Sequence, residues 1–382
     1  MRRFKKKIEA AMMSEDKYSF PSLASWLYLV SIFYGAVQNL RESCYRQKII
    51  PSRRLPCKVI SVGNITVGGT GKTPMTMHVA AKIHQAGYSV AIVSRGYKGR
   101  AERSGGIVSD GRTVYMDYGQ SGDEPYMMAC RLKDIPVIVG KKRFVAGMMA
   151  VSKFKPDVIV LDDGFQHLKL IRDIDLVLLD HKHPFGNSHL LPRGTLREPI
   201  SSLARSTACI LTGFRTSEPE AETRSMAAIK KYLPGSRLFA SSHVPYCYTV
   251  PREDPTPFHE FSEFMAPHDL GEIKNCKVFG FSGIARNDAF QQTVRDLGFN
   301  TAGYLEFSDH HDYSKEDLEI ILHSARAAGA QRLITTEKDH VRIADKKPFP
   351  LELIVIGVKA SFKDDQQDFI SFIKDRLKDA TS

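Results

Sequence analysis

The stretch on which the fold turns is Lys58-Val59-Ile60-Ser61-Val62-Gly63-Asn64-Ile65-Thr66-Val67-Gly68-Gly69-Thr70-Gly71-Lys72-Thr73-Pro74. It begins as a short apolar strand and passes into a glycine-rich loop. Met75, Val79 and Ile83 then fall at i, i+4 and i+8, one face of a helix, and Gly87 is a plausible stop. Strand, glycine-rich loop and helix together make the context in which successive backbone N–H groups turn inward around phosphate oxygens. Gly68, Gly69, Thr70 and Gly71 form that cradle, Lys72 can reach β and γ phosphates, and the Thr73 hydroxyl can sit on Mg²⁺. One departure stands out: Thr66 occupies the place of the signature's first glycine, five residues before Gly71, and Gly68-Gly69 supply the flexibility instead.

A partner for this loop is an apolar strand ending in an acid, and Val158-Ile159-Val160-Leu161-Asp162-Asp163-Gly164 provides it. Asp162 is the natural metal-side carboxylate, with Asp163 beside it as the alternative. Further strand runs at Val90 to Val93, Ile135 to Val139, Leu176 to Leu179 and Ala208 to Leu211 alternate with helical stretches. The reading is a doubly wound, mainly parallel α/β sheet of the P-loop NTPase type, with its ligand at the strands' carboxyl ends. Residues 58–238 form this core, and 239–270, rich in Pro, His and acids, connect it to a smaller α/β domain over 271–382. That domain should carry strands at Val278 to Phe281, Thr301 to Leu305, Arg332 to Ile334 and Leu351 to Ile356, and helices near 286–297, 314–328 and 363–378.

With 382 residues, 42% hydrophobic and 25% charged, the chain can bury its own core, and wholesale disorder or a multi-span membrane protein is excluded. Six cysteines without C-x-x-C spacing fit a reducing compartment. The net charge of +11 is concentrated: residues 1–58 hold twelve basic and four acidic side chains, so +8 of it lies there. A nucleic-acid surface on the core is therefore unsupported. Within 1–57, Arg2, Arg3, Lys5, Lys6 and Lys7 precede an uncharged stretch from Tyr18 to Leu40, whose dense apolar block runs from Trp26 to Val37. That block is short for about 30 Å of hydrocarbon, and no small-x-small cleavage site follows it. The expectation is a helix lying on an anionic membrane face, ahead of a helix packed on the core or a true span.

Five polar runs exceed what a sheet needs: Ser94-Arg95-Gly96-Tyr97, Gly122-Asp123-Glu124-Pro125, Asp162 to His167, Gly194-Thr195-Leu196-Arg197-Glu198-Pro199 and Ser308-Asp309-His310-His311. The two histidines precede a capping-box spelling, Ser314-Lys315-Glu316-Asp317, and no further His or Cys at ligand spacing makes them a zinc site.

Taken in order with the phosphate loop and Thr335-Thr336-Glu337-Lys338-Asp339, these runs closely resemble the tetraacyldisaccharide 4′-kinase (lipid A 4′-kinase) family over most of the chain. The missing first glycine is also how that family looks. The resemblance implies transfer of the γ-phosphoryl of ATP, with Mg²⁺, to the 4′-hydroxyl of a tetraacylated glucosamine disaccharide 1-phosphate at the cytoplasmic face of the bacterial inner membrane. It implies that Lys72 and Thr73 handle phosphates and metal, Asp162 is the metal-side acid, and Asp123 takes the hydroxyl proton with His310 as its partner. Arg143, His167, Arg197 and Glu198 match positions near the transferred group, and Arg95 and Tyr97 the part that meets the disaccharide. The rival from another class is a nucleotide-driven switch or delivery ATPase at the membrane, which would share Lys72, Thr73 and Asp162 but have no use for an Asp123–His310 base. A tethered binding protein would leave the glycine loop unused.

Overall fold

The computed structural model describes residue 12 and residues 22–214, 219–232, 235–250, 275–346 and 350–379. In chain order the elements are α1 (Leu23–Arg46), β1 (Lys58–Asn64), α2 (Lys72–Gln85), β2 (Val90–Ser94), β3 (Gly106–Ser109), α3 (Asp123–Arg131), β4 (Val137–Val139) and α4 (Arg143–Phe154). They continue with β5 (Val158–Asp162), β6 (Ile174–Asp180), β7 (Ala208–Phe214), α5 (Pro219–Tyr232), β8 (Arg237–Val250), β9 (Lys277–Ser282) and α6 (Asn287–Asp296). The last are β10 (Asn300–Glu306), α7 (Lys315–Ala327), β11 (Arg332–Thr336), α8 (Glu337–Ile343), β12 (Glu352–Ser361) and α9 (Gln366–Asp379). The chain divides into two compact units, one of Met1–Arg95, Lys142–His243 and Ala360–Ser382, the other of Gly96–Lys141 and Val244–Lys359.

In the first unit the strand order is β8-β7-β6-β1-β5-β2, every neighbour parallel. β1 lies in the middle, paired on one side with β5 from Lys58↔Val158 to Val62↔Asp162 and on the other with β6. Being covered on both faces, these strands are continuous apolar runs, and β5 is buried along its whole length. The register puts the phosphate loop and Asp162 at the same, carboxyl end of adjacent strands, where open α/β sheets bind ligands. A core of Ile65, Phe165, Val177, Leu179, Leu196 and Leu211 lies under that end.

The second unit has β10-β9-β11-β12 in parallel, with β8 next to β12, and an antiparallel ribbon of β3 and β4. Its core includes Val278, Phe290, Val294, Phe299, Ile334 and Ile354. The sequence-contiguous domains expected at 58–238 and 271–382 differ from these units, for physical reasons that lie in tertiary contact. Gly96–Lys141 falls in the second unit, where α3 packs on α8. Ala360–Ser382 falls in the first, where Phe362 stacks on Phe369 at 4.0 Å and Phe239 meets Phe369 edge-on at 5.1 Å. Of the connection expected over 239–270, residues 251–270 lie outside the described residues, and the part before them is strand β8.

α1 is amphipathic in the reverse sense. Its buried positions are the small residues Ser25, Ser31 and Gly35, whereas Trp26, Ile32, Phe33 and Leu40 are more than half exposed. The helix is 24 residues long, about 36 Å at 1.5 Å per residue, and is long and apolar enough to cross a membrane by length and composition. The expected apolar block at Trp26–Val37 is thus one part of a longer helix. A Cβ at Gly35 would stand 2.7 Å from Leu190 Cδ1, so a larger residue there would have to push that side-chain end aside.

Candidate active site

In the first unit, β1 releases the chain into the loop through Gly68 and Gly71, whose φ values of 121° and 82° lie in the left-handed region that glycine adopts freely. A Cβ at Gly68 or Gly69 would meet nothing within 4 Å, which leaves their backbone open to a ligand. At Gly71 a Cβ would run into the His243 ring of β8, which together with the left-handed φ favours glycine there. The loop is braced from below: Asn64 Nδ2 donates to Thr70 Oγ1 at 3.0 Å and the Thr212 hydroxyl to the Thr70 carbonyl at 2.9 Å. It is strapped to the Gly194–Pro199 run by Val67 N–H to Thr195 O and Arg197 N–H to Ile65 O, both 2.7 Å. Lys72 and Thr73 then open α2, with Thr73 buried.

At the end of β5 the two adjacent acids have different company. Asp162 is buried and accepts from the hydroxyls of Ser94 at 2.9 Å and Thr76 at 3.3 Å. Asp163, at φ 50°, accepts from Arg197 Nη1 on both oxygens at 3.0 Å and has Lys72 Nζ at 3.8 Å. Burial works to raise the Asp163 carboxyl, but the charges of Lys72 and Arg197 outweigh it and hold it below the usual range. Arg143 is buried and donates to the Asp162 carbonyl at 3.4 Å. His167 feels that cation too: burial first, then Arg143, lower its imidazole to about 4, so it is neutral near pH 7. Lys72, Asp162, Asp163, Arg143, His167 and Arg197 therefore form one group. Glu198 does not join it, because its buried carboxylate takes Arg205 at 2.7 Å and lies 3.9 Å from Arg41 of α1. Tyr34 of α1 donates to the Arg197 carbonyl at 2.7 Å, so the strap carrying Arg197 is tied to that helix.

In the second unit, Asp123 is the first residue of α3 and accepts from or faces His310 Nδ1 at 2.9 Å on Oδ2. His310 holds φ at 59°, a left-handed value that non-glycine residues rarely take, and its N–H donates to the Gly283 carbonyl at 3.0 Å. The Tyr97 ring lies edge-on to the imidazole, centroids 5.9 Å apart. A third member was missed in the sequence: Arg342 of α8 places Nε at 2.8 Å and Nη2 at 2.6 Å from the same Oδ2. Burial works to raise the Asp123 carboxyl, but the hydrogen bond to His310 and the charge of Arg342 prevail and hold it below the usual range. Arg95 is exposed at the end of β2 in the first unit.

A divalent cation fits the first unit's donor set in kind: the Asp162 carboxylate and Thr73 hydroxyl are hard oxygen ligands. Among the described residues no group of three or more His, Cys, Asp or Glu side chains could by itself hold a metal ion, so phosphate oxygens and water would complete the coordination.

The family model described as tetraacyldisaccharide-1-P 4′-kinase matches residues 23–378. The chain belongs to this family. A tetraacyldisaccharide 4′-kinase of Desulfatibacillum aliphaticivorans is 36% identical over 381 residues, 99% of each chain. One of Pelobacter propionicus is 39% identical over 340 residues, 87% of each chain. Among solved structures, the "apo" form of LpxK, the family's Aquifex aeolicus member, in complex with ATP has a TM-score of 0.71 and 28% identity, covering 93% of this chain and 100% of that one. Tetraacyldisaccharide 4′-kinases thus match this chain along almost its whole length, with α1 inside the matched region.

Proposed function

We propose that this protein transfers the γ-phosphoryl group of ATP to the 4′-hydroxyl of a tetraacylated glucosamine disaccharide 1-phosphate. The observation that carries the reading is the Asp123–His310 contact, 2.9 Å between Oδ2 and Nδ1, in a chain that also holds a phosphate cradle. A nucleotide-driven switch has no use for such a pair, whereas a kinase needs a group to accept its acceptor's proton. The full-length agreement with tetraacyldisaccharide 4′-kinases supports the same reading and its lipid disaccharide acceptor.

In this mechanism the Gly68–Gly71 backbone and Lys72 hold the β and γ phosphates. Asp163 keeps Lys72 and Arg197 aimed, and Arg143 and Arg197 offset charge on the equatorial oxygens. Thr73 and Asp162 would hold Mg²⁺, which supplies charge neutralisation on the phosphates when bound. Neutral His167 adds no cation of its own to that group near pH 7. Asp123 accepts the hydroxyl proton, and His310, on the other oxygen, steadies the carboxyl in both protonation states. Tyr97, beside His310, and Arg95 meet the disaccharide. Glu198 acts through Arg205 and Arg41, tying the Arg197 strap to α1.

The acceptor carries acyl chains, so the enzyme works at a lipid surface, and α1 is the part that docks. Its small polar side is held to the first unit by Tyr34, Arg41 and the Tyr28–His189 contact, leaving the apolar side for lipid at the cytoplasmic face of the inner membrane. Replacing Trp26 and Phe33 by serine should reduce co-sedimentation with anionic vesicles about tenfold while leaving turnover in detergent within about twofold. Unchanged sedimentation would remove α1 from this role.

The deciding experiment is transfer of label from γ-labelled ATP with Mg²⁺ to the detergent-dispersed acceptor, comparing wild type and Asp123→Ala. Label in lipid from the wild type alone is expected. ATP consumption with no labelled lipid would sink the acceptor assignment in favour of the switch.

A further inference from the structure

Thr335-Thr336-Glu337-Lys338-Asp339 is a distinctive run to which neither nucleotide binding nor the proton step gives a task. In the fold it ends β11 and begins α8, with Thr336 as N-cap accepting the Asp339 N–H at 3.1 Å. α8 then offers three charged side chains to α3: Glu337 to Arg131, Lys338 to Glu124 and Arg342 to Asp123. Arg342 is the most enclosed of these cations, at 2% exposure. Its Nη1 donates to Asp339 Oδ1 and to the Gly283 carbonyl, both 3.1 Å. Asp339 is itself fixed by the Gly283 N–H and the Tyr313 hydroxyl, each 3.0 Å. A planar guanidinium clamped along one edge in this way has a single place for its other edge. That edge lands on Asp123 Oδ2, the oxygen that also faces His310 Nδ1, which itself lies 3.3 Å from Arg342 Nη2. Among the described residues Oδ1 accepts no hydrogen bond.

We propose that Arg342, held by Asp339, is a positioning residue for phosphoryl transfer: it pins Oδ2 of Asp123 so that Oδ1 stays turned out as the acceptor for the substrate hydroxyl. This rests on the reading of Asp123 as the group that takes the proton. Two consequences follow from an arginine at this point. It fixes the carboxylate's rotation, which sets the angle at which the hydroxyl is approached. It also keeps the carboxylate ionised at the expense of basicity, and a weak base suffices where the transition state is loose and the proton leaves late. The groups that bear on Asp123 are His310, from the loop after β10, and Arg342, from α8. Asp339 and Tyr313 act on it through Arg342, Tyr97 lies against His310, and Lys338 pairs with Glu124 one residue along, with Asp309 nearby. Lys338–Glu124 docks the same two helices without touching Asp123, so it is the internal control.

The test compares full-length wild type, Arg342→Met, Arg342→Lys and Lys338→Met in detergent. One readout is the pH dependence of kcat and KM for lipid phosphorylation. The other is the Asp123 carboxyl titration by ¹³C NMR of protein labelled at aspartate Cγ, assigned by loss of the signal in Asp123→Asn. Arg342→Met should lower kcat about 100-fold, with KM for ATP within about threefold. It should also move the acid limb and the Asp123 titration up by about one pH unit, because the removed cation was favouring the ionised form. Arg342→Lys should restore the titration and only part of the rate, and Lys338→Met should leave both nearly as in wild type. A loss of rate in Arg342→Met with an unmoved titration, or an equal loss in Lys338→Met, would make Arg342 a structural tether and overturn the proposal. If Arg342→Met does not fold, Arg342→Met with Asp339→Asn leaves no orphaned buried charge and carries the same readouts. Should the wild type label no lipid, the kinase reading fails, while the NMR titration still decides the pinning: an upward shift supports it and no shift refutes it.

Discussion

Asp163 in the first unit and Asp123 in the second are each part-buried against two cationic or ring-nitrogen partners, and each is held below the ordinary carboxylate range although desolvation works to raise it. Their partners are distributed differently. Arg197 takes both oxygens of Asp163, with Lys72 beside one of them, whereas His310 and Arg342 crowd onto a single oxygen of Asp123. A carboxylate engaged on both oxygens can orient its cations and do little else. One engaged on one side retains a lone pair for a reacting proton. Counting charges near an acid therefore says less about its task than asking which oxygen they occupy.

The largest break in this comparison should come from Asp123→Asn, which keeps shape and removes the acceptor: kcat for lipid phosphorylation falls by about 10²–10⁴-fold while nucleotide affinity, read by titration calorimetry, changes little. Asp163→Asn should do something milder and of another kind. With Lys72 and Arg197 released, kcat/KM for ATP drops about 10–100-fold and nucleotide affinity weakens with it. If at saturating ATP it were as inert as Asp123→Asn, the proposed division of labour between the two acids would be wrong. The smallest effect concerns His167, whose folded value of about 4 lies below the ordinary 6.5. Between those values the unfolded chain binds a proton that the folded one refuses, so its contribution is complete above 6.5 and lost as pH falls toward 4. His167→Gln should flatten the dependence of thermal midpoint on pH in that window, by at most about one proton's worth of slope.

Much of the first unit was legible because local sequence and global position agree there. The strand at Lys58 to Val62, the glycines after it and the acid closing Val158 to Asp162 each announce their place, and parallel register then brings them together. β8 was harder: Pro245 and the mixed polar run around it argue against a strand, and only pairing with neighbours makes it one. The membership of Gly96–Lys141 in the second unit is written in ion pairs between α3 and α8, which leave no periodicity to read. Arg342 went unnoticed for the same reason, although its spacing of three from Asp339 on one helix face was a usable hint. Glu198, adjacent in sequence to Arg197, turns out to serve Arg205 and α1, while Arg197 reaches Asp163; adjacency in sequence did not reveal that the two side chains go to different partners.

Asp163 and His310 share a backbone property besides their chemistry: both are non-glycine residues in the left-handed region, at φ 50° and 59°. Such a conformation costs on the order of 1–3 kcal/mol, which glycine would not incur and asparagine would incur less. A library of variants sorted for thermal resistance alone would thus drift toward Gly or Asn at both places, and every step in that direction would discard a working side chain. For anyone engineering a hardier form of this protein, 163 and 310 are the two addresses at which a rise in melting temperature should be taken as a warning.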